Sequence, residues 1–201
     1  MIGRTIALLL GTLAFLSPPV FRESGAATSG PEFNQGGELK LPQGYREWVY
    51  LTSGFDMSYN PPMQMGNQHI FDNVFVNPEA YKAFVNTGTW PDKTILVLEE
   101  RGARAKGSIN RSGNFQADVM GLELHVKDEA RFAGKWAFFA FDGDKPAKAI
   151  PTSADCYSCH AQHAAVDTTF VQFYPTLLPV AKEKRTLSAP YLKETATPFN
   201  P

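Results

Sequence analysis

The chain has 201 residues, with 19 Lys and Arg against 20 Asp and Glu, and a formal net charge of -1. That balance excludes a strongly basic nucleic-acid binder and a polybasic partner of anionic membranes. Hydrophobic residues make up 43% of the chain and cysteines number 2, which excludes both a disordered chain and a disulfide-dense one.

Arg4 precedes an apolar run from Thr5 to Leu16, too short to span a bilayer and matched to a signal-peptide core. Gly25, Ala26 and Ala27 place the cleavage after Ala27. Residues 1–27 are therefore expected to be a signal peptide and residues 28–201 a single domain, with its core over about residues 32–184. An uncleaved N-terminal anchor is the alternative, and both readings imply export. Loss of the segment leaves a net charge of -2, because it carries Arg4 and Arg22 against Glu23. About 170 residues remain, enough for one hydrophobic core.

Ser29 to Gly44, rich in Gly and Pro, reads as a surface loop. Glu47 to Ser53 reads as a first strand, Gly54 to Asn67 as a loop, and Gln68 to Val76 as a second strand. Alternation along the second puts Phe71, Asn73 and Phe75 on one face and Ile70, Asp72, Val74 and Val76 on the other. Asn77, Pro78 and Glu79 open a helix: a capping side chain, a proline at the first helical position, then an acid. It is expected to reach about Asn86 and stop near Gly88.

Lys93 to Glu100 is the third strand and Arg101 to Gly113 a basic, solvated turn region. Phe115 to Val126 is the fourth strand, with Met120, Leu122, Leu124 and Val126 on its apolar face. Val119, Gly121, Glu123 and His125 share the other face; Gly121 in mid-strand marks a bulge or the close approach of another group. Lys135 to Phe141 is a fifth, buried strand, ended by the turn Asp142-Gly143-Asp144. A helix after Pro151-Thr152 follows, then a segment from Thr168 to Lys184 that Pro175 must interrupt, then a loose tail from Pro190 to Pro201. Strands in hairpin-like succession with few helices predict an α+β fold, mainly an antiparallel β-sheet.

The helix after Pro151-Thr152 carries Cys156-Tyr157-Ser158-Cys159-His160, the C-x-x-C-H pattern of covalent haem attachment. Two thiols three residues apart near a helix start match the separation of the haem vinyl groups, and the adjacent imidazole lies under the iron as proximal ligand. The expected cofactor is one covalent haem c, with Cys156, Cys159 and His160 as its attachment residues and His160 as the metal ligand. Competing uses are a Cys156–Cys159 disulfide in a non-haem domain, a thioredoxin-like redox pair, and a zinc site with His163 added. The redox pair lacks its βαβ context, and zinc would crowd four ligands into eight residues. His163 is expected at the haem edge or the surface rather than as a ligand, and His69 and His125 as surface or hydrogen-bonded residues. Met63, Met65 and Met120 are possible sixth ligands, and Met120 is expected in the core.

Several stretches resemble the cytochrome P-460 and cytochrome c′-beta family. They are Glu32-Phe33-Asn34, Tyr45-Arg46-Glu47-Trp48, Asn77-Pro78-Glu79-Ala80-Tyr81, Gly121-Leu122-Glu123 and Val126-Lys127-Asp128. Arg131-Phe132-Ala133, Trp136-Ala137-Phe138, Pro151-Thr152, the C-x-x-C-H motif and Phe173-Tyr174-Pro175 continue the series in order. The resemblance implies a mainly antiparallel β-fold, a homodimer and a c-type haem with an open distal position. One branch oxidises hydroxylamine in the periplasm and bonds a lysine to the haem ring; the c′-beta branch lacks that bond and takes nitric oxide or carbon monoxide beside an apolar pocket. The lysine-bearing strand, Thr-Val-Thr-Val-Lys-Glu, corresponds to Thr94-Ile95-Leu96-Val97-Leu98-Glu99, so Leu98 stands where the lysine would be, closer to the c′-beta type. Asp72 stands where the family carries an arginine, and Glu123 matches a pocket carboxylate of the enzyme branch.

The resulting expectation is a periplasmic c-type cytochrome, five-coordinate, binding nitric oxide, carbon monoxide or another small gas or passing electrons to a redox partner. Phe71, Phe75 and Leu98 are expected to cap an apolar distal side. No nucleic acid is expected as a partner, and no membrane after signal cleavage. The alternative is an oxidoreductase acting on hydroxylamine or nitric oxide with Glu123 as its proton acceptor.

Overall fold

The computed structural model describes residues 30–58 and 68–196, so the expected signal segment, Met63 and Met65 lie outside the described residues. Five strands follow one another in space as in sequence: β1 (Val49–Phe55), β2 (Ile70–Val76), β3 (Ile95–Arg104), β4 (Phe115–Lys127) and β5 (Trp136–Phe141). Every neighbouring pair is antiparallel. Helix α1 (Pro78–Thr87) joins β2 to β3, and α2 (Asp155–His163), α3 (Leu178–Lys184) and α4 (Ala189–Ala196) follow the sheet. The fold is α+β and mainly antiparallel, as the strand pattern predicts. Among the described residues no helix is long and apolar enough to cross a membrane.

Local chemistry accounts for most element ends. Pro78 opens α1, where its missing N–H costs nothing, and Gly88 closes it at φ 76°, a left-handed turn that needs glycine. Asn77 does not cap α1 with its side chain; its Oδ1 accepts the Ile95 N–H at 2.8 Å and ties the helix start to β3. β1 begins at Val49 rather than Glu47, because Tyr45–Glu47 winds into a 3-10 turn. β3 runs past Glu100 to Arg104, since Ala103 and Arg104 still find partners in Gln116 and Phe115 of β4. The basic turn is therefore shorter than expected. Pro175 breaks the Thr168 to Lys184 segment into a 3-10 turn (Val171–Phe173) and α3, as a residue without an N–H must.

The tail is not loose where it is described. Ser188 Oγ accepts the Tyr191 N–H at 3.2 Å and donates to the Ala164 carbonyl at 2.6 Å, so it caps α4 and anchors it. Pro190 sits in the first turn, where it fits, and Leu187 and Tyr191 pack against the core.

Hydrophobic residues cover both faces of the sheet. On the helix-covered face Leu51, Val76, Leu96 and Trp136 meet Phe84, Trp90, Val171, Tyr174 and Leu177. On the opposite face Ile95, Val97, Leu124, Val126 and Phe139 meet Leu39, Leu41 and Tyr45 from the segment before β1. Each fully buried large side chain contributes on the order of 2 kcal/mol. One irregularity changes the faces of β4. Pairing steps from Glu100↔Gly121 to Arg101↔Val119, so Met120 is the extra residue of a bulge. Met120 is thereby turned out of the Leu122 and Leu124 face and is 48% exposed, not core; its sulfur accepts from Gln68 Nε2 at 3.5 Å.

Candidate haem site

α2 starts at Asp155, so Cys156, Cys159 and His160 fall three and four residues apart on one helical face. Tyr157, inside the motif, pins this helix to the sheet: its hydroxyl donates to the Ile150 carbonyl at 3.0 Å and accepts the Phe138 N–H of β5 at 3.4 Å. Both cysteines carry free thiols, and burial raises the Cys156 pKa, helped by the nearby Glu123 and Asp155 charges.

His160 is held on several sides. Its Nδ1 bonds the Thr168 carbonyl at 2.7 Å; a carbonyl only accepts, so Nδ1 carries the proton and Nε2 keeps a free lone pair. Phe170 stacks on the ring at 4.1 Å, Phe138 meets it edge-on at 4.6 Å and His125 at 5.2 Å. Burial lowers the His160 pKa, opposed in part by the Thr168 bond, so the ring is neutral at pH 7. A neutral imidazole with a fixed tautomer beside two unpaired thiols and aromatic walls is a donor set that fits a covalent haem.

The sheet meets α2 through its helix-covered face, whose side chains form cross-strand rows. Leu96, His125 and Phe138 make the row that touches His160. Two residues along each strand, Val74, Leu98, Glu123 and Ala140 make the next row. Gly54, Asp72, Glu100 and Gly121 make the third. Rows lie about 7 Å apart. Leu98 and Glu123 are thus brought together, directly across from each other and one row from the histidines.

Phe71 and Phe75, expected beside Leu98, are on the opposite face. Phe75 pairs with Val97 and packs on Tyr45 and Tyr50, each at 5.9 Å, while Phe71 pairs with Arg101 and packs on Phe55 at 4.8 Å. The strand period is two, and Leu98 pairs with Val74, so the neighbours of Val74 in β2 must point away.

Nor is the face beside His160 wholly apolar. Asp72, Glu100 and Glu123 share it, and among the described residues none of the three has an ion-pair partner. Burial, then the Glu100 and Asp56 charges, push Asp72 up to about 6. Burial, then Glu100 and Asp72, raise Glu123, whose side chain opens to solvent while protein crowds its carboxylate. Gly121 serves this cluster: a Cβ there would lie 2.3 Å from Glu100 Oε2 and displace the carboxylate. The close approach that a mid-strand glycine predicts is made by Glu100.

His125 is buried, stacks on Phe138 at 4.0 Å and bonds the Thr168 hydroxyl at 3.2 Å. Burial and then the neighbouring His160 hold its pKa well below the usual imidazole range. His163 is exposed and pairs with Glu194 of α4 at 3.0 Å, and His69 pairs with Asp56 at 2.6 Å. Sequence reasoning missed Thr168, Phe170, Phe138 and Glu100 as parts of this site. Phe138 carried a signal in the β5 alternation; Thr168 and Phe170, in a turn, carried none.

Two thiols and a neutral, tautomer-fixed imidazole on a helix, set against an antiparallel sheet, define a c-type haem protein of the β-sheet kind. A comparison with protein-family models matches the Cytochrome P460 family over residues 42–171, well over half of the chain and inclusive of the C-x-x-C-H motif. The chain belongs to the cytochrome P460 family, and membership implies a covalently bound haem c. No curated protein matches the chain.

Proposed function

We propose that the protein is an exported cytochrome whose haem c is attached to Cys156 and Cys159 with His160 Nε2 as iron ligand, and that it binds neutral diatomic gases, nitric oxide above all. When bound, the haem supplies an iron that takes such gases and changes oxidation state by one electron. The observation that carries the reading is the Thr168 carbonyl on His160 Nδ1, which leaves the Nε2 lone pair available to a metal. Leu98 has no amine, so this chain cannot make the lysine bond of the hydroxylamine-oxidising branch at that position. Val74, Leu98 and Ala140 offer apolar surface, and Asp72, Glu100 and Glu123 repel anions such as nitrite, so neutral ligands are favoured.

The test is the intact mass of protein exported by a host that matures c-type cytochromes. One haem mass on the wild type is expected, with at most one thioether in Cys156→Ala or Cys159→Ala; an apo mass overturns the assignment. Carbon monoxide should bind the ferrous form without displacing a side chain, and a six-coordinate low-spin spectrum in both oxidation states would count against it.

A second reading, oxidation of hydroxylamine, is favoured by the raised pKa values of Asp72 and Glu123, which suit a proton acceptor near neutral pH. Turnover with hydroxylamine and an electron acceptor at an enzyme-like rate would decide for it.

A further inference from the structure

Thr168 touches the site twice. Its carbonyl holds His160 Nδ1 at 2.7 Å and its hydroxyl bonds His125 Nε2 at 3.2 Å. We propose that His125 is a positioning residue: it fixes Thr168, and through that carbonyl sets the orientation and basicity of His160 as a metal ligand. The inference rests on the reading of His160 as iron ligand given above.

The place of His125 in the sheet argues for a purpose. Its ring lies against Phe138 at 4.0 Å and an interplanar angle of 13°, and against Trp136 at 4.4 Å. A phenylalanine would fill that slot with no polar atom to satisfy, whereas a buried imidazole is costly unless it is hydrogen-bonded. Its side-chain hydrogen bond goes to Thr168, the one partner it has among the described residues. Stacking on Phe138 and Trp136 fixes the plane of the ring, and the bond to the Thr168 hydroxyl selects the flip that presents Nε2.

The turn that presents Thr168 benefits from such a tie. Val166 and Thr169 bridge to each other, and Asp167 between them sits at φ 52°, a left-handed conformation held without glycine. Lys127 reaches Asp167 at 3.7 Å, and His125, two residues before it on the same face, reaches Thr168 at 3.2 Å. Both ties come from β4, so the sheet dictates where the carbonyl points. A carbonyl accepting from Nδ1–H raises the electron density at Nε2, which strengthens the bond to iron and stabilises its oxidised state.

The experiment uses the haem-loaded protein with His125→Phe and Thr168→Val, which keep shape and remove one or both ends of the bond. Each is expected to retain one haem mass, to raise the midpoint potential and to lower the ferrous iron–histidine stretching frequency. The double variant should match the singles, because both break the same link. Wild-type potential and stretch in both singles, or additive shifts in the double, overturn the inference. If His125→Phe does not accumulate, Thr168→Val alone decides by the same two readouts. A wild type without haem would instead overturn the assignment of His160, which keeps the two failures apart.

Discussion

Glu99 and Glu100 are neighbours on β3, yet they face opposite sides of the sheet and opposite chemistry. Glu99 is 2% exposed and fully engaged: Tyr45 Oη, Arg101 Nε and Arg46 Nη2 all donate to it. Burial would raise its pKa, but the bonds from Arg101, Tyr45 and Arg46 outweigh it and hold the carboxylate below its usual range. The same contact, together with burial, raises Tyr45. One residue on, Glu100 joins Asp72 and Glu123 with no cation among the described residues, and there the shifts run upward. One face uses charge to close a structure, and the other keeps like charges together one and two rows along the sheet from the residues that touch His160. Uncompensated like charge lowers stability, and it is concentrated on the face that also carries the His125 and Phe138 row.

Breaking the closed face should have the largest effect. Glu99→Gln removes the charge and leaves one acceptor oxygen where Tyr45, Arg101 and Arg46 now share two, and should cost about 3 kcal/mol in denaturant unfolding; the exposure of Arg46 keeps it from costing more. Glu100→Gln, one residue away, should cost nothing and gain a few tenths of a kcal/mol by relieving repulsion. Equal losses in the two variants would erase the contrast between the faces.

The pH dependence sharpens it. Asp72 titrates near 6 when folded and near 3.8 when not, so between those values the folded chain binds more protons. The contribution of Asp72 is therefore most favourable below about pH 4 and is lost as the pH rises through 6. Asp72→Asn should be more stable than the wild type at pH 7 by on the order of 2 kcal/mol, less than the full shift because the group is part-exposed. At pH 4 the difference should vanish. A constant difference in melting temperature across that range would show that Asp72 is not perturbed by its neighbours.

The smallest effect is expected from adding a cation to the acidic face. Leu98→Lys sets an ammonium across from Glu123, and an opposite-charge cross-strand pair is worth about 0.5 kcal/mol. The variant should melt slightly higher than the wild type at pH 7 and lose that gain at pH 4. Because the carboxylates keep the lysine charged, a tryptic digest should contain no lysine–haem adduct; finding one would mean that the amine is neutral and nucleophilic there.

Sequence alone determined the attachment motif, since Cys156, Cys159 and His160 depend only on covalent spacing along one helix. It also determined the five strands and the two residue sets of β2, because side chains alternate along an unbroken strand. The family was legible for the same reason: its motifs are short local strings. Tertiary structure decided which set faces the site. Phe71 and Phe75 form a valid face of β2, but pairing with β3 turns that face away from His160, and no property of β2 alone fixes the choice. A bulge took Met120 out of the core, and a bulge is a mismatch between two strands that neither strand shows by itself. The acidic row needed three strands side by side, and His125 needed the Thr168 turn, 43 residues further along the chain, to become part of the site. Alternation is a property of one strand, whereas burial, charge repulsion and hydrogen-bond partnership are sums over neighbours that only the folded chain brings together.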